Sequence, residues 1–200
     1  RGSFHLGLNS SPQTIVGGNV VGLLAGLPAE RIILEITEHD HVEDYAQLRA
    51  ALEPLRAVGV RIAIDDAGSG YASMRHILNI APDFIKLDNS LTRRVDADEM
   101  RGALAAALIA FGRQTNCRIV AEGVETVAEL RTLRELGVHA AQGYHLARPM
   151  PMEAFRKLLR NQRWSRLRRR LADRAGLSSL PLQDLDGARS SRRLILRAPS

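Results

Sequence analysis

Short apolar runs alternate along the chain with longer segments of helical periodicity. Six runs read as strands: residues 4–8 (FHLGL), 31–36 (RIILEI), 61–65 (RIAID), 83–87 (DFIKL), 118–122 (RIVAE) and 138–142 (VHAAQ). Between them the pattern predicts helices. Residues 15–26 form a weak one, diluted by Gly17, Gly18 and Gly22. Residues 43–58 place Tyr45, Leu48, Leu52 and Leu55 on one face and stop at Gly59, with Pro54 expected to kink or split them. A short helix over 71–80 ends before Pro82. Asp96 and Glu99 have capping-box spacing for a helix over 97–115, and Thr126 with Glu129 opens another that closes at Gly137. Pro149 and Pro151 introduce a last helix over 152–172.

Regular strand–helix alternation implies an α/β protein with a parallel sheet. No GxGxxG follows the first strand, which favours a barrel over an open dinucleotide-binding sheet. Side chains alternate across a strand. Ile33 therefore shares a face with Glu35, Ala63 with Asp65, Phe84 with Lys86, and Val120 with Glu122. Each of these strands carries one charged residue near its C-terminal end, and in a βα-barrel that end forms the functional mouth. Asn9, Glu35, Asp65, Asp66, Lys86, Glu122 and Gln142 are thus expected to converge there from six strands.

Two adjacent carboxylates ending a buried strand repel each other and resist desolvation unless a positive group sits beside them. Asp65 and Asp66 form such a pair, followed by a loop with two glycines, and a divalent cation is the usual partner. Carboxylates and amide oxygens are hard ligands that suit Mg²⁺ or Mn²⁺, whereas the six histidines show no zinc-ligand spacing. Several carboxylates can hold two metals about 3.5–4 Å apart, a geometry suited to phosphodiester hydrolysis.

Composition changes this picture in two places. One cysteine, Cys117, excludes a disulfide framework and fits a reducing, cytoplasmic compartment, and no apolar run reaches membrane-spanning length. The net charge of +6 is unevenly distributed: residues 156–200 hold thirteen Lys/Arg against three Asp/Glu, leaving −4 for residues 1–155. The expected organisation is one domain over 1–158 and a basic helix end with a disordered tail over 159–200, available to an acidic partner.

Six stretches in order, LNSSP (8–12), EITE (35–38), DDAGSGY (65–71), IKLD (85–88), AEGVET (121–126) and QGYHLARP (142–149), resemble the EAL family of cyclic-di-GMP phosphodiesterases. The resemblance implies a modified TIM (β/α)8-type barrel, a two-metal Mg²⁺ or Mn²⁺ site, cyclic-di-GMP as substrate and a homodimer. Position by position, Asn9, Glu35, Asp65, Asp66 and Glu122 match metal ligands. Lys86 matches the lysine that orients the attacking water, and Gln142 a residue at the metal-bound water. Lys86, Glu122 and Gln142 are thereby the implied catalytic group. Glu38 matches the anchor of the glycine loop, while Glu125, Ser69, Gly70 and Arg148 match supporting positions.

Two departures stand out. The Glu-Ala-Leu signature, whose glutamate is a metal ligand in the family, is absent from these 200 residues. Together with six strands instead of eight, this implies a barrel lacking its first two strands, and a chain inactive and poorly stable by itself. Ala67 replaces the family's usual phenylalanine, which predicts a looser loop over 67–73. The competing expectations are a receptor that binds the dinucleotide or a protein without cleaving it, and, from the basic tail alone, a nucleic-acid binder.

Overall fold

The computed structural model describes residues 5–37, 40–68 and 72–160. Within them the elements run β1 (Leu6–Asn9), α1 (Pro12–Gly17), α2 (Val20–Leu23), β2 (Ile32–Thr37), α3 (Tyr45–Ala57), β3 (Arg61–Ala67), α4 (Ala72–Ile80), β4 (Phe84–Leu87), α5 (Asn89–Thr92), α6 (Glu99–Gln114), β5 (Arg118–Ala121), α7 (Val127–Leu136), β6 (Ala140–Ala141) and α8 (Met152–Arg160). The six strands form one sheet in the order β1-β2-β3-β4-β5-β6, and every neighbouring pair is parallel. A sheet whose spatial order equals its sequence order is the wall of a βα-barrel type, not a doubly wound sheet with a switch point.

The two faces of the sheet bury different things. Helices cover the outer face, where Ile32, Leu34, Ile36, Ile62, Ile64, Ile85, Leu87 and Ile119 join Leu48, Leu52 and Leu55 of α3 and Ile109 of α6 in one large core. The inner face holds a small separate layer of Ile33, Ala63, Phe84 and Val120, with Ala140 against it. Arg61 and Arg118 flank Phe84, their guanidinium carbons 5.6 and 5.9 Å from the ring centroid. The layer of polar residues that follows, one step toward the strand C-termini, is built on this apolar floor.

Local chemistry explains where the elements depart from the pattern. The helix expected over 15–26 is two short ones. Gly18 ends α1 in an extended conformation, and Asn19 caps α2 by accepting from the Gly22 N–H at 2.9 Å. Pro54 does not split α3: it lies on the exposed face within the last turn, and Ala50, whose carbonyl it leaves unbonded, is itself open to water. The cap of α6 is Asp98, which accepts from the Met100 and Arg101 N–H groups, so Asp96 is not the cap the spacing implied. The Thr126–Glu129 capping box and the left-handed Gly137 stop of α7 are present. The part of the last helix beyond residue 160, and the basic tail, lie outside the described residues.

Candidate active site

Lys86 organises the polar layer. It is 1% exposed, and its Nζ lies 2.8 Å from Glu35 Oε2 on β2, 2.8 Å from Asp65 Oδ1 on β3 and 2.8 Å from Glu122 Oε1 just after β5. The contact from β4 to β2 passes over the intervening strand, as a concave inner face requires. Burial pulls the Lys86 pKa down, but Glu122, Glu35 and Asp65 together outweigh it and hold the ammonium above its ordinary range. Burial pushes the Glu122 carboxyl up to about 7; Lys86 opposes this, while Asp65 and Glu35 add to it.

The Asp65–Asp66 pair reaches one site through a break in the strand. The register runs Ile64↔Ile85 and then Ala67↔Leu87, so three steps on β3 match two on β4. This bulge absorbs one residue. Ile64 and Ala67 both stay in the outer core, and the two aspartates between them are freed from strict alternation. Asp66 has φ of 56°, a left-handed conformation that aspartate tolerates better than most residues, and its N–H donates to Asp65 Oδ1 at 3.0 Å. Asp65, Asp66 and Glu122 each offer a carboxylate oxygen, and the three lie within 4.8 Å of one another.

Asn9 ends β1 beside Glu35 in the register. Gln142 follows β6; its N–H donates to Ala121 O at 2.8 Å, and its side-chain Oε1 is buried with no hydrogen-bond partner among the described residues. Glu122 Oε1, equally buried, has the Lys86 ammonium at 2.8 Å as its partner. Two other expected residues have partners of their own. Glu125 is exposed and pairs with Arg93 at 2.9 Å, and Arg148 lies over the Tyr144 ring, 4.5 Å from its centroid. Glu38, Ser69 and Gly70 lie outside the described residues, as does most of the glycine loop, so the looser loop expected from Ala67 does too.

The donor set fits a hard divalent cation. Three carboxylates, Glu35, Asp65 and Glu122, face one ammonium, Asp66 stands within 4.8 Å of Asp65 and Glu122, and the buried Gln142 Oε1 has no hydrogen-bond donor among the described residues. Buried acceptors left without hydrogen bonds are costly, and a metal ion with its waters would satisfy them.

A family model described as the EAL domain matches residues 1–149. The chain belongs to the EAL domain family. Among curated relatives of this EAL chain, the probable cyclic di-GMP phosphodiesterase PdeD of Escherichia coli (strain K12) is 38% identical over 161 residues, covering 78% of this chain and 30% of PdeD. The chain therefore spans less than a third of that relative's length. Among solved structures, the EAL domain of Mycobacterium smegmatis DcpA aligns with a TM-score of 0.73 and 33% identity, covering 78% of this chain and 73% of that one. A manganese and cyclic-diGMP complex of Klebsiella pneumoniae BlrP1 aligns with a TM-score of 0.67 and 31% identity, covering 74% and 39%.

The sequence pattern did not single out Gly7. A Cβ on Gly7 would stand 2.2 Å from Glu35 Oε1 and 2.9 Å from its Cδ, so the Glu35 carboxylate occupies the space that a side chain on β1 would fill. The signal was available as a lone glycine inside an apolar strand, which marks a close approach. Gly7→Ala is expected to displace the Glu35 carboxylate from Lys86 and to weaken Mn²⁺ binding by about tenfold, as loss of a supporting contact at a metal site does. Calorimetric titration checks this; an unchanged dissociation constant would remove Gly7 from the site.

Proposed function

We propose that this chain carries the catalytic basin of a metal-dependent phosphodiesterase that hydrolyses cyclic-di-GMP to linear pGpG. The observation that carries the reading is the buried cluster around Lys86, with more carboxylates than its one ammonium can neutralise, in a chain of the EAL family. The cyclic dinucleotide and manganese held by BlrP1 support the choice of ligands. In this reading Asn9, Glu35, Asp65, Asp66 and Glu122 hold two Mg²⁺ or Mn²⁺ ions. Such ions, when bound, polarise the scissile phosphate and lower the pKa of water.

The remaining work belongs to the chain. In this reading the Lys86 ammonium, held by three carboxylates, serves the attacking water as a donor and not as its base. It can donate to that water and orient it toward phosphorus. The water oxygen bonds to phosphorus as the ester bond to the 3′ oxygen breaks; a water proton passes to a carboxylate of the basin, and the 3′ oxygen takes up a proton and leaves as the hydroxyl. Gln142 Oε1 accepts a hydrogen bond from a water in the same basin. We assign the functional unit to residues 1–158, working in the cytoplasm and open to pairing with a second copy. Residues 159–200 form a separate basic segment for an acidic partner.

The test is hydrolysis of cyclic-di-GMP by residues 1–200, or by a longer protein containing them, with Mn²⁺ and with chelator. Turnover lost in chelator supports the enzyme; tight dinucleotide binding without turnover would replace it with a receptor. Metal binding also has a pH signature. A Glu122 carboxyl near 7 keeps its proton at lower pH, and a metal must displace it. Apparent Mn²⁺ affinity should rise from pH 6 to pH 8, with more proton released per site at pH 6 than at pH 8. Titration in buffers of different ionisation enthalpy measures this directly, and equal release at both pH values would exclude Glu122 as the linked group.

A further inference from the structure

The segment after β5 is fastened at several points to the turn after β4. The Glu122 N–H donates to Leu87 O at 3.1 Å, and the Glu122 carbonyl accepts a hydrogen bond from the Thr92 hydroxyl. Thr92 is fully buried, at 0% exposure. Gly123, at φ of 63°, presses so closely on α5 that a Cβ there would stand 2.6 Å from Asn89 Cβ. One turn further on, the Glu129 carboxylate is 4% exposed and accepts three backbone N–H groups: Arg94 at 3.0 Å, Glu125 at 2.9 Å and Thr126 at 3.0 Å. These bonds hold its carboxyl below the usual glutamate range against the opposing effect of burial.

We infer that Thr92 and Glu129 are positioning residues, which lock the Glu122–Thr126 segment onto the α5 turn and so fix the Glu122 carboxylate opposite Lys86 and Asp65. This rests on the metal-site reading above. Neither side chain faces the carboxylate cluster; both act on the backbone that carries Glu122. Glu122 stands one residue beyond the end of β5, and the Gln142 bonds on the β6 side go to its neighbours, Ala121 O and Val124 N–H. The N–H and carbonyl of Glu122 itself are held from the β4–α5 side, by Leu87 and Thr92. A strand-end ligand needs such support, because a small displacement at a metal site costs affinity out of proportion to its size. Glu129 supplies the second fixed point, four residues downstream of Glu125.

The experiment compares T92V, T92S, E129Q and the unmutated chain by Mn²⁺ calorimetry, thermal melting and steady-state hydrolysis. Valine keeps the shape of threonine and removes the hydroxyl. T92V is expected to weaken Mn²⁺ binding by about tenfold and lower kcat similarly, with KM for the dinucleotide within about twofold. T92S should restore both. E129Q, which has one acceptor oxygen in place of two, should show a smaller loss in the same direction. If T92V melts lower but binds Mn²⁺ within twofold of the unmutated chain, the positioning role is overturned and Thr92 is only a packing group. Mn²⁺ binding without turnover, both in residues 1–200 and in a longer protein containing them, would sink the hydrolytic reading alone, and the T92V titration would still decide this inference. An unmutated chain that binds no Mn²⁺ overturns both.

Discussion

Lys86→Met is expected to destabilise the metal-free protein by about 3–5 kcal/mol, because removing one partner from a buried ionic cluster leaves the others uncompensated. At roughly 2–4 °C per kcal/mol for a fold of this size, the melting temperature should fall by about 10 °C. Three carboxylates stand 2.8 Å from the ammonium, and two of them, Glu35 and Asp65, are 2% exposed, so solvent does little to replace its charge. Two conditions should soften the loss. Saturating Mn²⁺ should restore part of the melting temperature by supplying positive charge to the same oxygens. Lower pH should do likewise. Without Lys86 the Glu122 carboxyl, already raised by burial, loses the ammonium that opposes the rise, so the penalty is full above its raised value and shrinks as pH falls toward the unfolded value of about 4.3. A melting temperature unchanged in chelator at pH 8 would show that the cluster does not depend on its central cation.

The second large effect is on the chemistry. In a longer protein that carries the two missing strands, Asp65→Asn is expected to reduce turnover by at least about a hundredfold at saturating Mn²⁺, since under the proposed function a neutral amide cannot replace a carboxylate shared between two metals. The fold should tolerate the change, because Lys86 keeps Glu35 and Glu122 as partners and the volume is preserved. Melting within a few degrees of the unmutated protein, together with much weaker Mn²⁺ binding, is the expected pair of results. Turnover within tenfold of the unmutated protein would rule out this role for Asp65.

The parallel architecture and the inner-face placement of Glu35, Asp65, Lys86 and Glu122 were legible from alternation alone. Each of these four strands is an apolar run with a charged residue near its C-terminal end, and a pleat has period two. What alternation could not show is the bulge at Asp65–Asp66, because a register shift depends on the partner strand as much as on the residues that carry it. The choice of Asp98 over Asp96 as the α6 cap was similarly hidden. Both residues can cap, and the Val95 to Asp98 turn, closed by Ala97 and Asp98 N–H groups on Arg94 O, decides between them. Thr92 left no trace in the sequence at all, since a hydroxyl at the end of a four-residue helix announces nothing until a neighbouring carbonyl is placed against it.

The left-handed backbone at Asp66 has a consequence for how such a protein changes under selection. A non-glycine residue held in that region costs about 1–3 kcal/mol, and glycine would release it. The same exchange would delete one of the three clustered carboxylate donors. Heat tolerance and chemistry therefore pull in opposite directions at a single codon. A library screened only for thermal survival would drift toward glycine at residue 66 and return a hardier protein with an emptied site.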